Sequence, residues 1–204
     1  MFSIFSASCN THKKASPTSG FTLVELMISI SIMVIVAGIV LTRQTAFNGS
    51  VLLRSQTYEV ALQAREVQLN AVSASGNTGT FRSVQGLHFD TNPVLNSQYK
   101  VFVDSPSGSN ANGFWDSGEE FGQQGLLDPR FEIRSLRAIG DNISGSEVSV
   151  VFVRPNFDAR FFDSNGELNA SSLEVDVARK GLTGSSTDVV RTLEITSTGQ
   201  ITVQ

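Results

Sequence analysis

Residues 21–41 read FTLVELMISISIMVIVAGIVL, and the rest of the chain is read outward from this run. It holds one charge, Glu25, and a few hydroxyls. As an α-helix rising about 1.5 Å per residue it extends roughly 31 Å, the hydrocarbon thickness of a bilayer. A helix buried in a soluble domain shows a polar face at helical spacing, and this run shows none. It is therefore expected to be a membrane helix. Lys13 and Lys14 precede it, and Arg43 is the one cation close behind. That bias predicts an N-terminus in the cytoplasm and everything after Leu41 across the membrane.

Two features set the run apart from an ordinary anchor or secretory signal. A secretory signal is cut after its apolar stretch, at small residues; here Ser19 and Gly20 lie before it. Glu25 carries a bilayer penalty of about 2.5–3.5 kcal/mol. It is expected either to reach for headgroups at the interface or to have a partner.

Composition narrows the function classes. The 204 residues carry 15 Lys and Arg against 19 Asp and Glu, a net charge of −4, with 17% charged and 40% apolar residues. Such a chain is no disordered polyelectrolyte. Nucleic-acid binding through bulk positive charge is disfavoured, because counterion release needs many Lys and Arg contacts. One Cys and two His leave no disulfide framework and no zinc cluster.

The residues SGFTLVEL at 19–26 resemble the type IV prepilin, or class III, signal. A polar basic leader ends in Gly20, Phe21 follows, Glu25 stands fifth after that point, and the apolar run continues. The resemblance implies that a prepilin peptidase/methyltransferase cuts between Gly20 and Phe21 on the cytoplasmic face and methylates the new Phe21 amine. It further implies a filament of pilins or pseudopilins grown from an inner-membrane assembly platform, with Glu25 paired to the Phe21 amine of a neighbouring subunit. The protein would be located in the inner membrane, its globular domain periplasmic or extracellular. Processing would remove Lys13, Lys14 and Cys9, leaving 13 cations against 19 anions and no cysteine. The disulfide that closes the C-terminal loop of many major pilins then cannot form, which tilts the reading toward minor pilins and pseudopilins.

The expected organisation is a leader over 1–20, a transmembrane helix over 21–41, an amphipathic extension over 42–74, and a β-rich domain over 75–204. Asn48-Gly49-Ser50 is a point where the helix is expected to loosen. Beyond it, Val51, Tyr58, Leu62 and Leu69 form one apolar stripe, and Val60, Ala64, Val67 and Ala71 another. A single-domain surface helix needs one stripe. The second suggests a helix packing its own domain on one side and a neighbour on the other, with Ala64 and Ala71 allowing close approach in a filament. Strands are predicted at 80–84, 98–104, 131–136, 147–154, 159–163, 173–179, 189–196 and 200–203, with turns at Ser164-Asn165-Gly166 and Thr198-Gly199. The fold class is α+β: a long N-terminal helix packed on antiparallel β-sheet. This layout resembles the GspH/FimT-like minor pilins and pseudopilins. Gln200 stands where that family often has Arg, and Phe152-Val153-Arg154-Pro155-Asn156-Phe157 lacks the glycine of its phenylalanine-proline-glycine signature.

Other sites are weaker. Asn110, Asn112, Asp116 and Glu119 supply oxygen ligands around Gly113, the type a hard cation such as calcium takes, but not at EF-hand spacing. An ordinary solvated loop is the competing reading, and no cofactor is expected. His88, the one histidine left after processing, has no cysteine to pair with and is expected to be structural. No nucleophile–base pair and no phosphate loop is found, so no catalytic residue is assigned and the chain is expected not to be an enzyme. DNA uptake, as in some minor pilins, would need more basic C-terminal residues than Lys180 and Arg191. The local group Arg130, Arg134 and Arg137 is expected to be a solvated strand face. The rival in a different class is a membrane-anchored binding module that never polymerises.

Overall fold

A computed structural model of the chain describes residues 20–73, 84–104, 112–153 and 155–204, and the side chains of 42–47 are left out. The first element is α1, Leu23–Ser73. Its start is set by Thr22, whose Oγ1 accepts the Glu25 N–H at 3.2 Å while its carbonyl accepts the Leu26 N–H at 3.1 Å. Thr22 and Glu25 thus have capping-box spacing, and Glu25 lies in the first turn, where the helix dipole favours an anion. Ser29 and Ser31 donate their hydroxyls to the carbonyls of Glu25 and Met27, each at 2.8 Å. Hydroxyls bonded back onto the helix in this way are compatible with an apolar surround. The anticipated break at Asn48-Gly49-Ser50 does not occur, and these residues are helical.

The chain divides into two compact units, residues 1–43 and 44–204. In the first, helical residues 23–41 have a mean hydropathy of 2.6 and none of their window is buried. They are long and apolar enough to cross a membrane.

In the second unit the remainder of α1 packs on two antiparallel sheets. One is built from β1 (Val84–Asp90), β2 (Gln98–Asp104), β3 (Gly125–Leu126), β5 (Glu147–Val153), β6 (Asp158–Asp163) and β7 (Gly166–Leu168), in the order β3-β2-β1-β5-β6-β7. The other contains β4 (Phe131–Ile139), β8 (Ser172–Arg179), β9 (Val190–Thr196) and β10 (Ile201–Val203), in the order β10-β9-β8-β4. Helix residues Leu53, Val60, Ala64, Val67 and Ala71 are sealed against Leu87, Phe89, Phe131, Phe161, Leu173 and Leu193 in one core. Thr57, fully buried on that helix face, is satisfied by donating its hydroxyl to the Leu53 carbonyl at 2.9 Å.

Polar contacts fix the helix at both ends of the sheets. Gln56 Oε1 accepts the Asp128 N–H at 2.9 Å. Arg65 donates to the Ile201 carbonyl at 3.0 Å, covering part of the β10 edge. Gln68 Nε2 donates to the carbonyls of Phe157 and Gly199 at 3.0 and 2.8 Å. Gly199 turns the chain between β9 and β10 at φ 81°, a conformation only glycine adopts readily.

The α+β expectation holds, with differences in detail. Of the strand anticipated at 80–84 only Val84 is described, and it opens β1; 80–83 lie outside the described residues, as do Ala74 and Arg154. β1 contains Gly86 and His88, which mask its alternation, yet six of its seven residues are buried. β3 and β7 are too short for periodicity to reveal. The 164–166 turn is a hairpin in which Asp163 pairs with Gly166 across Ser164 and Asn165.

Candidate functional site

Gly20 and Phe21 precede the helix cap, so the bond between them lies outside helical structure, and both residues are exposed. A peptidase needs such access, because a peptide inside a helix presents neither face to an active site. Glu25 is exposed on the first turn, and among the described residues no cation lies within ion-pairing distance of its carboxylate.

Further along, the two apolar stripes of α1 part as anticipated but exchange roles. Val60, Ala64, Val67 and Ala71 are buried in the protein's own core. Val51, Tyr58, Leu62 and Leu69 are 52%, 44%, 67% and 59% exposed. The small residues therefore let the sheets, not a neighbouring subunit, approach α1. The bulky stripe is the one left open. Arg54 covers the Tyr58 ring at 5.5 Å, a cation–π contact that leaves the ring part-exposed. Periodicity found both stripes; only burial distinguishes inner from outer.

The candidate cation loop is described only in part. Asn110 lies outside the described residues. Asn112 Oδ1 accepts the Phe114 N–H at 2.9 Å, and Glu119 Oε2 accepts the Asp116 N–H at 3.0 Å. These oxygens serve the loop's own backbone. Asp104 Oδ2 accepts the Gly113 N–H at 2.8 Å; burial, opposed by that bond, raises the Asp104 carboxyl above its ordinary range. Among the described residues no group of three or more His, Cys, Asp or Glu is placed to hold a metal.

His88 is placed inside the fold. Its Nδ1 lies 3.0 Å from Ser149 Oγ, whose oxygen accepts the Trp115 N–H at 3.0 Å. The Ser149 proton is thus free for Nδ1, which puts the ring proton on Nε2, 3.3 Å from Glu147 Oε2. That separation suits an ion pair, but burial first and Lys100 second push the imidazole pKa down to about 3. The ring is neutral at ordinary pH. Lys100 Nζ sits 3.1 Å from the Trp115 ring centroid, and Trp115 lies against the imidazole at 5.0 Å. This cluster pins the 112–120 loop onto β1 and β5. Sequence pattern could not show it, because its members come from four separate segments.

The three arginines are individually engaged. Arg130 makes two bonds to Asp128 at 2.8 and 2.9 Å, holding that carboxyl down to about 2. Arg137 pairs with Glu174, and Arg134 donates to the carbonyls of Arg179 and Leu182 at 2.9 and 2.7 Å.

Residues 16–41 match the family described as the prokaryotic N-terminal methylation motif. The chain carries a type IV prepilin-like signal. The match begins in the leader and ends with the apolar run, so it covers Gly20, Phe21 and Glu25 but not the sheets. No curated protein and no solved structure matches the chain. The α+β arrangement, an N-terminal apolar helix continuing onto antiparallel sheet, is pilin-like.

Proposed function

We propose that the protein is a minor pilin or pseudopilin, a structural subunit of a type IV pilus or a type II secretion pseudopilus. Prepilin peptidase releases the leader after Gly20, and the Phe21 amine is methylated. The subunit waits in the inner membrane on its 21–41 helix, with its β-rich domain periplasmic. On the assembly platform it moves into a helical filament. In this reading the chain is the substrate of a peptidase and methyltransferase, not an enzyme, and it works without a cofactor.

One observation carries the reading: the methylation motif sits on an apolar helix, none of whose span is buried. Glu25 acquires its role from the cut. The new positive amine of a neighbour's Phe21 is a counter-ion for a carboxylate that otherwise bears a bilayer penalty. A charge pair in low dielectric is worthwhile only with good geometry, so it fixes register. The GspH/FimT-like assignment is supported by the closing β9–β10 hairpin and by a mature chain without cysteine.

The test is Glu25→Ala in the native host. Filament incorporation should collapse while membrane insertion persists or improves. Unchanged incorporation would favour an anchored module that never polymerises. Gly20→Glu should leave uncut precursor on a gel, and cleavage at Phe21 despite it would refute the peptidase assignment.

A further inference from the structure

A cleft of about 630 Å³ opens at the end of the second unit nearest in sequence to the apolar run. Its walls are Asn48 and Gly49 of α1, Arg130 before β4, Arg179 at the end of β8, and Lys180 and Leu182 just after it. β-Pairing holds two walls together, since Phe131 is in register with Arg179 and the Lys180 N–H donates to the Arg130 carbonyl at 2.8 Å. Ser50 ties the third by donating to Asp188 Oδ1 at 2.9 Å.

The cations in and beside this cleft are not equivalent. Arg130 is spent on Asp128, and Arg134 is spent on backbone carbonyls. Lys180 Nζ donates to the neutral Ser97 hydroxyl at 2.6 Å and has no carboxylate within 4.0 Å among the described residues. Arg179 has no carboxylate within 4.0 Å among the described residues. Its guanidinium lies directly over Gly49: a Cβ built there would stand 2.5 Å from Arg179 Cζ. Glycine inside a helix costs about 1 kcal/mol relative to alanine. Here it admits a flat, unpaired guanidinium against the helix backbone.

We propose that this cleft binds the phosphate of an anionic phospholipid headgroup, with Arg179 as the planar donor and Lys180 as the point charge. A guanidinium fork matches phosphate oxygens, and a lysine adds charge without geometry. The lipid source, over free phosphate, follows from tethering. Seven residues lie between Leu41 and Gly49, eight steps along the chain, so the cleft stays within about 28 Å of extended chain from the end of the span. The inference rests on the membrane-helix reading. Its consequence is orientation: a headgroup held there would fix the β-rich domain at the bilayer surface before assembly.

The test uses the full chain in detergent, with phosphatidylglycerol titrated in and retained lipid counted by native mass spectrometry. One phosphatidylglycerol should be retained. Arg179→Gln and Lys180→Gln should each weaken retention about fivefold, the worth of one cation near an anionic surface. Gly49→Ala, which pushes the guanidinium off the helix, should weaken it without lowering the melting temperature. Arg160→Gln, elsewhere on the surface, should leave it unchanged. Equal retention by the Arg179 and Lys180 variants would overturn the proposal, and so would displacement of the lipid by inorganic phosphate below millimolar concentration. Flotation with phosphatidylcholine vesicles separates the two readings. A chain that floats yet ignores phosphatidylglycerol refutes the cleft alone, and one that does not float refutes the anchor.

Discussion

Val60 and Leu62 are two residues apart on one helix, yet they should fail in opposite assays when each is cut to alanine. Val60 is 2% exposed and Leu62 67% exposed. Val60→Ala removes two methyl-sized groups from a sealed site, about 1.6 kcal/mol of transfer energy at about 0.8 per group. The residual cavity brings the loss to about 2–3 kcal/mol. For a domain of this size each kcal/mol moves the melting temperature by about 2–4 °C, so a fall of about 4–12 °C is expected. Alanine's better helix propensity works against that loss by a few tenths of a kcal/mol. Leu62→Ala, on the surface, should stay within about 0.5 kcal/mol, or about 2 °C. Filament incorporation reverses the order. Full burial of a leucine is worth about 1.5–3 kcal/mol, and roughly two-thirds of that remains available at Leu62. Loss of about 1–2 kcal/mol per contact predicts about a 5- to 30-fold drop in the sheared filament fraction relative to the membrane pool. Circular dichroism of the full chain in detergent gives the melting temperatures. The reasoning fails if Leu62→Ala melts as early as Val60→Ala, or if it enters filaments as well as the unaltered chain.

Three further outcomes are expected. A buried neutral His88, at about 3 against an unfolded value near 6.5, means the unfolded chain binds the extra proton between those values. Stability should therefore be full above about pH 6.5 and fall as pH drops toward 3, with a slope of up to about 1.4 kcal/mol per pH unit. Glu147 and Asp104, both raised by burial, oppose that slope at its acidic end; His88→Gln should flatten it in a melting series over pH. Gly199→Ala drives a Cβ into the Phe157 carbonyl oxygen at φ 81°, next to the Gln68 bonds. It should lower stability by more than about 2 kcal/mol, read by chemical denaturation. Thr22→Val removes the helix cap, worth about 1 kcal/mol, and the Glu25 amide should exchange about fivefold faster in detergent.

What could be read from sequence was whatever obeyed a period. The apolar run, both stripes of α1, and strands such as β2 and β8 announce themselves by spacing. β1 did not, because both its faces are covered, one by the core at Leu87 and Phe89 and the other by the 112–120 loop at His88, which removes the alternation. The site was legible in the same uneven way. Gly20, Phe21 and Glu25 form a contiguous motif. The His88–Ser149–Trp115 cluster and the Arg179 cleft are assembled by pairing between distant segments, and no local rule reaches them. The inward turn of Ala64 and Ala71 was missed for a different reason. Small residues allow close approach by any partner, and spacing does not name the partner.

The spacing of the two stripes does constrain how α1 meets its neighbours. The inward set Leu53, Thr57, Val60, Ala64, Val67, Ala71 steps by 4, 3, 4, 3 and 4, and the outward set Val51, Tyr58, Leu62, Leu69 by 7, 4 and 7, so each keeps a seven-residue repeat. At about 100° per residue the two stripes lie roughly opposite each other. A seven-residue repeat drifts by about 20° per heptad on a straight helix, so neither stripe leaves its face over so short a stretch. The inward seam is already sealed in the core through Val60 and Val67, which leaves α1 only its outward seam to offer a neighbour. A filament map in which Val60 or Val67 meets the α1 of a neighbouring subunit would contradict this.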